Sequence, residues 1–214
     1  ALAAISLAGA ATSELHTINL ASGVATRVNA IGGGERVRGL ALNANPRASL
    51  LGVTTDNRLV TFKTGTPGTL DTNVAVTGLQ GGETIIGIDI RPANSRLYAV
   101  TDAARLYTLD ATTGAATSAG MLSADVADMT NPFALLSGGA FGVDFNRLAD
   151  RLRIVSDAEQ NLRANADSGA TTTDTTLTRG AFAVTAAAYT NNFAPSPSTT
   201  LYVIDTQNDR VVAP

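Results

Sequence analysis

The densest group of polar side chains in this 214-residue sequence lies between positions 144 and 163, where carboxylates, amides and guanidinium groups are mixed. Oxygen ligands of this kind suit Ca²⁺. However, the stretch lacks the spaced Asp/Asn/Gly loop of an EF-hand, and the three arginines among the candidate residues would oppose a nearby cation. Three interpretations stay open: a cationic stripe that binds an acidic partner, a solvated face of ion pairs, or a calcium site. The candidate ligand- or partner-binding residues are Asp144, Asn146, Asp150, Arg151, Arg153, Asp157, Gln160, Asn161 and Arg163.

The remaining sequence offers little to a catalytic centre. Cysteine is absent, which excludes disulfides, thiolate zinc sites and cysteine nucleophiles. His16 is the sole histidine, so any histidine-based triad or zinc site would depend on it. The G-x-S-x-G, P-loop and H-E-x-x-H motifs do not occur. We therefore predict a non-enzymatic protein without a cofactor, with calcium as the alternative left open.

The element that must position these side chains is a repeat. A polar pair followed by an apolar residue that opens a strand-like run occurs five times, at Leu15, Leu59, Leu106, Leu162 and Val211. The spacings between these residues are 44, 47, 56 and 49 positions. Periods of this size mark units that cannot bury their apolar faces alone, as in propellers and solenoids.

The third repeat predicts four short strands, at 87–90, 96–101, 105–110 and 115–119, joined by turns rich in Asn, Asp and Gly. A four-stranded antiparallel meander is the blade of a β-propeller, whereas solenoid units usually carry fewer strands. We predict an all-β propeller with one domain over 1–214. It has five blades, or six if a repeat lies outside the sequence. The approximate repeats are 1–30, 31–78, 79–125, 138–180 and 181–214.

The ends of the sequence fit incomplete repeats. The first-strand Gly lies 19 or 20 residues before the landmark Leu in repeats two to four, so repeat one has no room for that strand. Repeat five stops three residues after Val211, before a fourth strand. Because open sheet edges invite aggregation, we expect the chain to be a piece of a longer polypeptide.

Asp89 and Asp144 occupy matched first-strand positions, and Arg96 and Arg151 open the matched second strands. One interpretation is a polar ring at the propeller channel that binds a small ligand or a cation, with Asp89 and Asp144 as weak metal candidates. The other is that each Asp accepts hydrogen bonds from backbone in a turn or pairs with the Arg of its own blade. Recurrence favours the second, because blade-building residues repeat whereas sites are usually unique.

Composition limits the partners. The net charge is −3 and the few basic residues do not cluster, which argues against nucleic acid. No apolar run approaches the ~20 residues that span a bilayer. The opening residues resemble a signal-peptide core but lack a basic start, so we interpret them as strand. Thr, Ala and Gly are abundant and Lys is scarce, which favours an extracytoplasmic bacterial protein, periplasmic or secreted.

Two groups of motifs resemble an uncharacterised bacterial secreted domain family of repeat-propeller type. They are GVDFN…DRLRIVSD…QNLR, beginning at Gly142, and AAAYTNN…TLYVID, beginning at Ala186. The resemblance covers most of the chain from about residue 36 onward. The family has no assigned catalytic residues, so it implies a fold and a secreted location but no mechanism.

The favoured function is a non-enzymatic extracytoplasmic binding or scaffold protein, an accessory subunit docked through a protein partner on a larger membrane-associated complex. One alternative is a metal-dependent, lactonase-like hydrolase, in which Asp89, Asp144 and Asn191 would converge at the channel mouth. Another is a glycan-binding or surface-layer module, although the sequence has no Trp to stack on sugar faces.

Overall fold

The computed structural model describes residues 2–5, 12–42, 49–177, 183–192 and 197–214. In these ranges the protein is all-β, and none of the described residues forms a helix long and apolar enough to cross a membrane. The strands are β1 (Leu2–Ile5), β2 (Glu14–Ile18), β3 (Ala25–Ala30), β4 (Val37–Leu42), β5 (Ser49–Thr54), β6 (Arg58–Lys63), β7 (Leu70–Ala75), β8 (Ile85–Arg91), β9 (Arg96–Thr101), β10 (Arg105–Leu109), β11 (Ala116–Met121), β12 (Ser123–Ala124), β13 (Phe141–Asn146), β14 (Arg151–Ser156), β15 (Asn161–Ala164), β16 (Ala170–Thr173), β17 (Val184–Tyr189), β18 (Leu201–Asp205) and β19 (Arg210–Val212).

The strands form five sheets, and within each sheet neighbouring strands are consecutive along the chain and antiparallel. We number them in chain order: sheet 1 (β1–β3), sheet 2 (β4–β7), sheet 3 (β8–β11), sheet 4 (β13–β16) and sheet 5 (β17–β19). The two-residue strand β12 joins sheet 4 as a parallel neighbour of β16. This parallel pairing joins two blades, because β12 belongs to the segment that runs from sheet 3 to sheet 4.

The sheets are arranged around an axis as a propeller. Their first strands lie side by side, with β4 against β8, β8 against β13, and β13 against β17. Apolar cores fill the spaces between neighbouring sheets: Tyr98 and Leu106 of sheet 3 pack with Phe145 and Leu152 of sheet 4 in one of them. The rings of Tyr98 and Phe145 meet edge to face, 5.4 Å apart. Burial between two neighbouring sheets explains the long apolar runs in β8 and β9, such as Leu97–Val100.

The predicted number of blades was wrong. Four sheets, 2 to 5, contribute a first strand to the axis, so four blades rather than five or six surround it in the described residues. Sheet 1 has three described strands, and its landmark Leu15 lies in β2 as Leu106 lies in β10. Its β1 lies beside β4 as β5 lies beside β8, which is the position of a second strand. The repeated phrase marks the third strand of each sheet. A sheet can have this strand without contributing a first strand to the axis, as sheet 1 does in the described residues.

Candidate functional site

The two matched aspartates meet between sheets 3 and 4. Asp89 on β8 accepts the Phe145 backbone N–H of β13 at 2.8 Å, and Asp144 accepts the Tyr189 N–H of β17 at 2.7 Å. The two carboxyl groups are also hydrogen-bonded to each other. Each Asp therefore ties its own inner strand to the inner strand of the next blade.

Burial determines the charge of this pair. Desolvation raises the pKa of Asp89 from 3.8 to about 7, against the lowering effect of the N–H groups of Phe145 and Ile90. Desolvation also raises the pKa of Asp144 well above its ordinary value, and the charge of Asp89 raises it further. Two adjacent carboxylates cannot both ionise cheaply in a low dielectric. The pair therefore retains a proton into the neutral range.

The structure distinguishes between the two interpretations of these aspartates. Neither forms a described ion pair with the Arg of its own blade, and Arg151 instead donates to the carbonyls of Ala149 and Asp150. Each Asp accepts a backbone N–H of the following blade, which an inner strand leaves without a partner in a sheet, and Asp89 also accepts the Ile90 N–H of its own strand. Backbone satisfaction is thus their described role. The difference from the prediction is that the backbone belongs to a strand of the next blade rather than to a turn.

A second polar cluster ties sheet 3 to sheet 4 at one end of the inner strands. Arg91 is 6% exposed and forms paired hydrogen bonds with the Asp150 carboxylate, at 2.8 and 2.6 Å. It also binds both oxygens of Asp167, at 2.5 and 2.8 Å, and its guanidinium lies 5.9 Å from the Tyr98 ring centre. The guanidinium lowers the pKa of both carboxyls. The planar guanidinium thus holds two turns of the next blade.

A third cluster lies between sheets 4 and 5. Arg153 donates to the Asn161 amide oxygen at 2.6 Å, to the Asp174 carboxylate at 2.7 Å and to the Tyr189 hydroxyl at 3.2 Å. Arg163 donates to the same Asp174 from the solvent side, at 2.9 Å. Two guanidinium groups therefore share one carboxylate, and the carboxylate is already occupied within the chain.

The other predicted site residues bond to local backbone. Asn146 accepts the N–H groups of residues 148 and 149, and Asp157 accepts the Gly139 N–H at 2.8 Å. Gln160 accepts the Ser137 N–H and donates to the Leu135 carbonyl. These residues hold turns in place, as Asx-type side chains commonly do.

The polar residues predicted as one binding set are thus divided among the aspartate pair, the Arg91 cluster, the Arg153 cluster and single turns. Within the described ranges, no group of three or more His, Cys, Asp or Glu side chains is arranged to hold a metal ion. Asn191, the third residue proposed for a hydrolase centre, donates to the Ser198 carbonyl instead. Of the predicted set, Asp150, Arg153 and Arg163 form ion pairs, and the remaining residues bond mainly to backbone.

A different feature is the long connection between sheets 3 and 4. Its apolar side chains Val126, Met129 and Leu135 are 94%, 87% and 64% exposed. We call these three side chains the apolar loop surface. Exposed apolar side chains that cluster on one segment commonly mark a contact surface.

The loop that carries the apolar surface is firmly anchored. Leu122 and Phe133 are buried in the core between sheets 3 and 4. The Asp128 carboxylate accepts the N–H groups of Thr130, Asn131 and, across the sheet, Thr173. Gln160 holds both Leu135 and Ser137 through their backbone groups. The exposed side chains are therefore presented by an ordered backbone.

Sequence reasoning missed both Arg91 and this loop. Arg91 is the last residue of the first strand that carries Asp89. The matching position in repeat four is Asn146, so comparison of the repeats does not single out Arg91. The loop did leave a signal: the spacing from Leu106 to Leu162 is 56 residues against 44 to 49 elsewhere. An enlarged repeat indicates an insertion, and insertions lie on the surface.

Comparison with known proteins agrees with this architecture. Residues 58–214 match a family model described as a domain of unknown function (DUF4394). No curated protein matches. A solved structure of a structural-genomics protein of unknown function from Bacteroides thetaiotaomicron is similar in fold, with a TM-score of 0.55 at 14% identity over 94% of this chain. This chain spans about half of that protein, 53% of its length. On the family match, the chain belongs to the DUF4394 domain family.

Proposed function

We propose that this protein is a non-enzymatic binding scaffold that docks a protein partner on the apolar loop surface. The observation that carries the proposal is the combination of an anchored backbone with outward apolar side chains. Because Asp128, Phe133 and Gln160 already fix the loop, a partner would not bear the entropic cost of ordering it. Met, which lies at the centre of this loop, is enriched in protein–protein interfaces relative to the rest of the surface.

The charges around the loop define the partner further. Asp125 and Asp128 lie on the loop itself. Asp157 and Glu159 lie in the β14–β15 turn, next to the end of the loop that contains Leu135 and Gly139. None of these four carboxylates forms an ion pair among the described residues. A complementary partner therefore has an apolar centre with Lys or Arg at its rim, since such complementarity directs association.

The clusters described above support a scaffold in another way. Arg91, Arg153 and the aspartate pair all lie between blades and use their polar groups within the chain. Their contacts fix neighbouring blades relative to each other, and a fixed ring presents its loops in a constant arrangement. The abundance of Thr, Ala and Gly and the scarcity of Lys support an extracytoplasmic location, where we propose that the protein is an accessory subunit of a membrane-associated complex.

The test is site-specific photo-cross-linking in cells of the source organism. A photoreactive phenylalanine replaces Met129, and in the matched control it replaces Thr69, an exposed residue of the turn between β6 and β7. We expect one discrete adduct from position 129, none from position 69, and recovery of the adduct in the cell-envelope fraction. Excess purified protein should abolish the adduct by competition.

One outcome would overturn the docking surface and another would overturn the location. Equal labelling from positions 129 and 69 would mean that the loop has no specific partner. An adduct confined to the cytosolic fraction would reject the location while retaining the docking surface.

A further inference from the structure

The turn between the last two strands recurs with the same geometry in sheets 1, 3 and 4. The turns are Asn19–Gly23, Asp110–Gly114 and Asn165–Gly169. In each, the Asx side-chain oxygen accepts turn N–H groups and the Gly N–H donates to the Asx carbonyl. The Gly φ angles are +73°, +74° and +76°, where a side chain would be strained.

In sheet 3 this turn binds the segment that leaves sheet 2. Thr77 donates its N–H to the Gly114 carbonyl at 3.1 Å, and the Ala116 N–H donates to the Thr77 carbonyl at 2.8 Å. The bridge between Thr77 and Ala115 is parallel. Gly114 is buried, and a Cβ added there would overlap the Ala75 carbonyl oxygen. The turn is thus an acceptor site for an extended chain.

In sheet 4 the same site binds the segment that leaves sheet 3, which is why β12 is parallel to β16. Ser123 donates its N–H to the Gly169 carbonyl and Asp125 donates to the Thr171 carbonyl, both at 2.9 Å. A Cβ on Gly169 would overlap the Met121 carbonyl. Two blades therefore fill the site in the same way.

In sheet 1 none of the described residues occupies the equivalent site. No described heavy atom lies within 4 Å of a Cβ added to Gly23. The pairing of Ile18 with Ala25 corresponds to that of Leu109 with Ala116, so the Ala25 N–H points away from β2. Ala25 is exposed and Val24 is 58% exposed. The groups that bind a segment in sheets 3 and 4 are thus presented outward.

We infer that residues 23–25 are a docking site for an extended segment that leaves the outer strand of a further propeller blade and pairs in parallel with the start of β3. The two internal examples define its chemistry: Val76-Thr77-Gly78 and Leu122-Ser123-Ala124 share an apolar residue, a hydroxyl residue and a small residue. The third residue is small in both, and at Gly78, where φ is +86°, an added Cβ would lie 2.7 Å from the Ala116 carbonyl oxygen. Main-chain pairing of this kind gives affinity with modest sequence specificity.

The test adds a peptide of residues 72–80 to the 214-residue protein and follows backbone amides by NMR. At about 2 mM peptide we expect a downfield shift of the Ala25 amide and exchange slowed at least about tenfold, because two hydrogen bonds form. A peptide with Gly78 replaced by Val is the matched control and should not bind. Unchanged Ala25 and Gly23 amides, or shifts confined to other sheets, would overturn the inference.

Paired proline variants provide a second readout. Ala116→Pro removes the donor that binds Thr77 and should destabilise the protein, whereas Ala25→Pro removes an equivalent donor with no described acceptor. We expect Ala25→Pro to keep the wild-type urea midpoint and to lose the peptide-induced shifts. Peptide binding that persists in Ala25→Pro would overturn the docking geometry. This outcome is independent of the apolar loop surface.

Discussion

The substitution Asp89→Asn tests the electrostatic account of the inner strands. The amide oxygen that it introduces can still accept the Phe145 N–H, and the new NH₂ group can donate to Asp144, so the strand contact is preserved. What the substitution removes is a carboxyl group that must ionise in a buried position. The variant should therefore change the pH dependence of stability more than the fold.

The size of the effect follows from the pKa. The folded protein holds the pKa of Asp89 at about 7 against 3.8 for an ordinary Asp, and each unit corresponds to about 1.4 kcal/mol. Between these two pH values the unfolded chain has lost this proton and the folded chain retains it. Stability therefore falls as pH rises from 4 to 7, on the order of 4 kcal/mol in all, and levels off above pH 7.

The assay is urea unfolding at a series of pH values from 4 to 8.5. Tyrosine fluorescence serves as the probe, because the chain has four Tyr and no Trp. We expect wild type and Asp89→Asn to have similar stability at pH 4 and to diverge as pH rises, with the variant more stable at pH 8. The carboxyls bound to Arg91 have lowered pKa values, so their contribution is lost only at more acidic pH.

An exposed aspartate provides the control. Asp209→Asn changes the same functional group at the surface and should follow the wild-type curve. If Asp89→Asn also followed the wild-type curve over the whole range, the shared proton between the inner strands would be refuted.

Three further substitutions test the packing of the blades. Arg91→Lys loses the paired contacts with two aspartates of sheet 4 and should lower the free energy of unfolding by about 2–3 kcal/mol. Arg96→Lys, on an exposed side chain, should leave the free energy of unfolding unchanged. Urea midpoints that shift equally in the two variants would contradict the role of Arg91 in joining sheets 3 and 4. Gly169→Ala should be more destabilising than Gly23→Ala in the same measurement, because both share the cost of positive φ but only the first adds an overlap with a neighbouring carbonyl. Phe133→Ala should lower stability by about 3 kcal/mol and speed hydrogen exchange over residues 125–140; unchanged exchange there would show that another residue anchors the loop.

Local patterns predicted the blade well. The turns with Asp110 and Asn165, and the alternation around Leu106, are decided by neighbouring residues, so a single repeat predicts its own four strands. Recurrence of Asp89 and Asp144 also indicated correctly that these residues help to build blades. Features that depend on residues close together in the sequence were therefore predictable.

Contacts between blades were less predictable. Arg91 meets Asp150 and Asp167 across 59 and 76 residues, and nothing in the sequence near Arg91 specifies those partners. The candidate binding set has the same limit, because its density in sequence reflects several separate contacts in space. The apolar loop surface depends on which side chains remain exposed after the blades pack, and only the enlarged spacing pointed to it.

One competition measurement distinguishes the apolar loop surface from the polar set as the docking site. Purified variants compete against the cross-linked adduct formed from position 129. Met129→Asp should compete at least about tenfold less well than wild type, because it places a charge in the apolar contact. Arg163→Gln, on a side chain 45% exposed at the edge of the polar set, should compete as well as wild type. The opposite ranking, with Met129→Asp fully competent and Arg163→Gln inactive, would contradict the account.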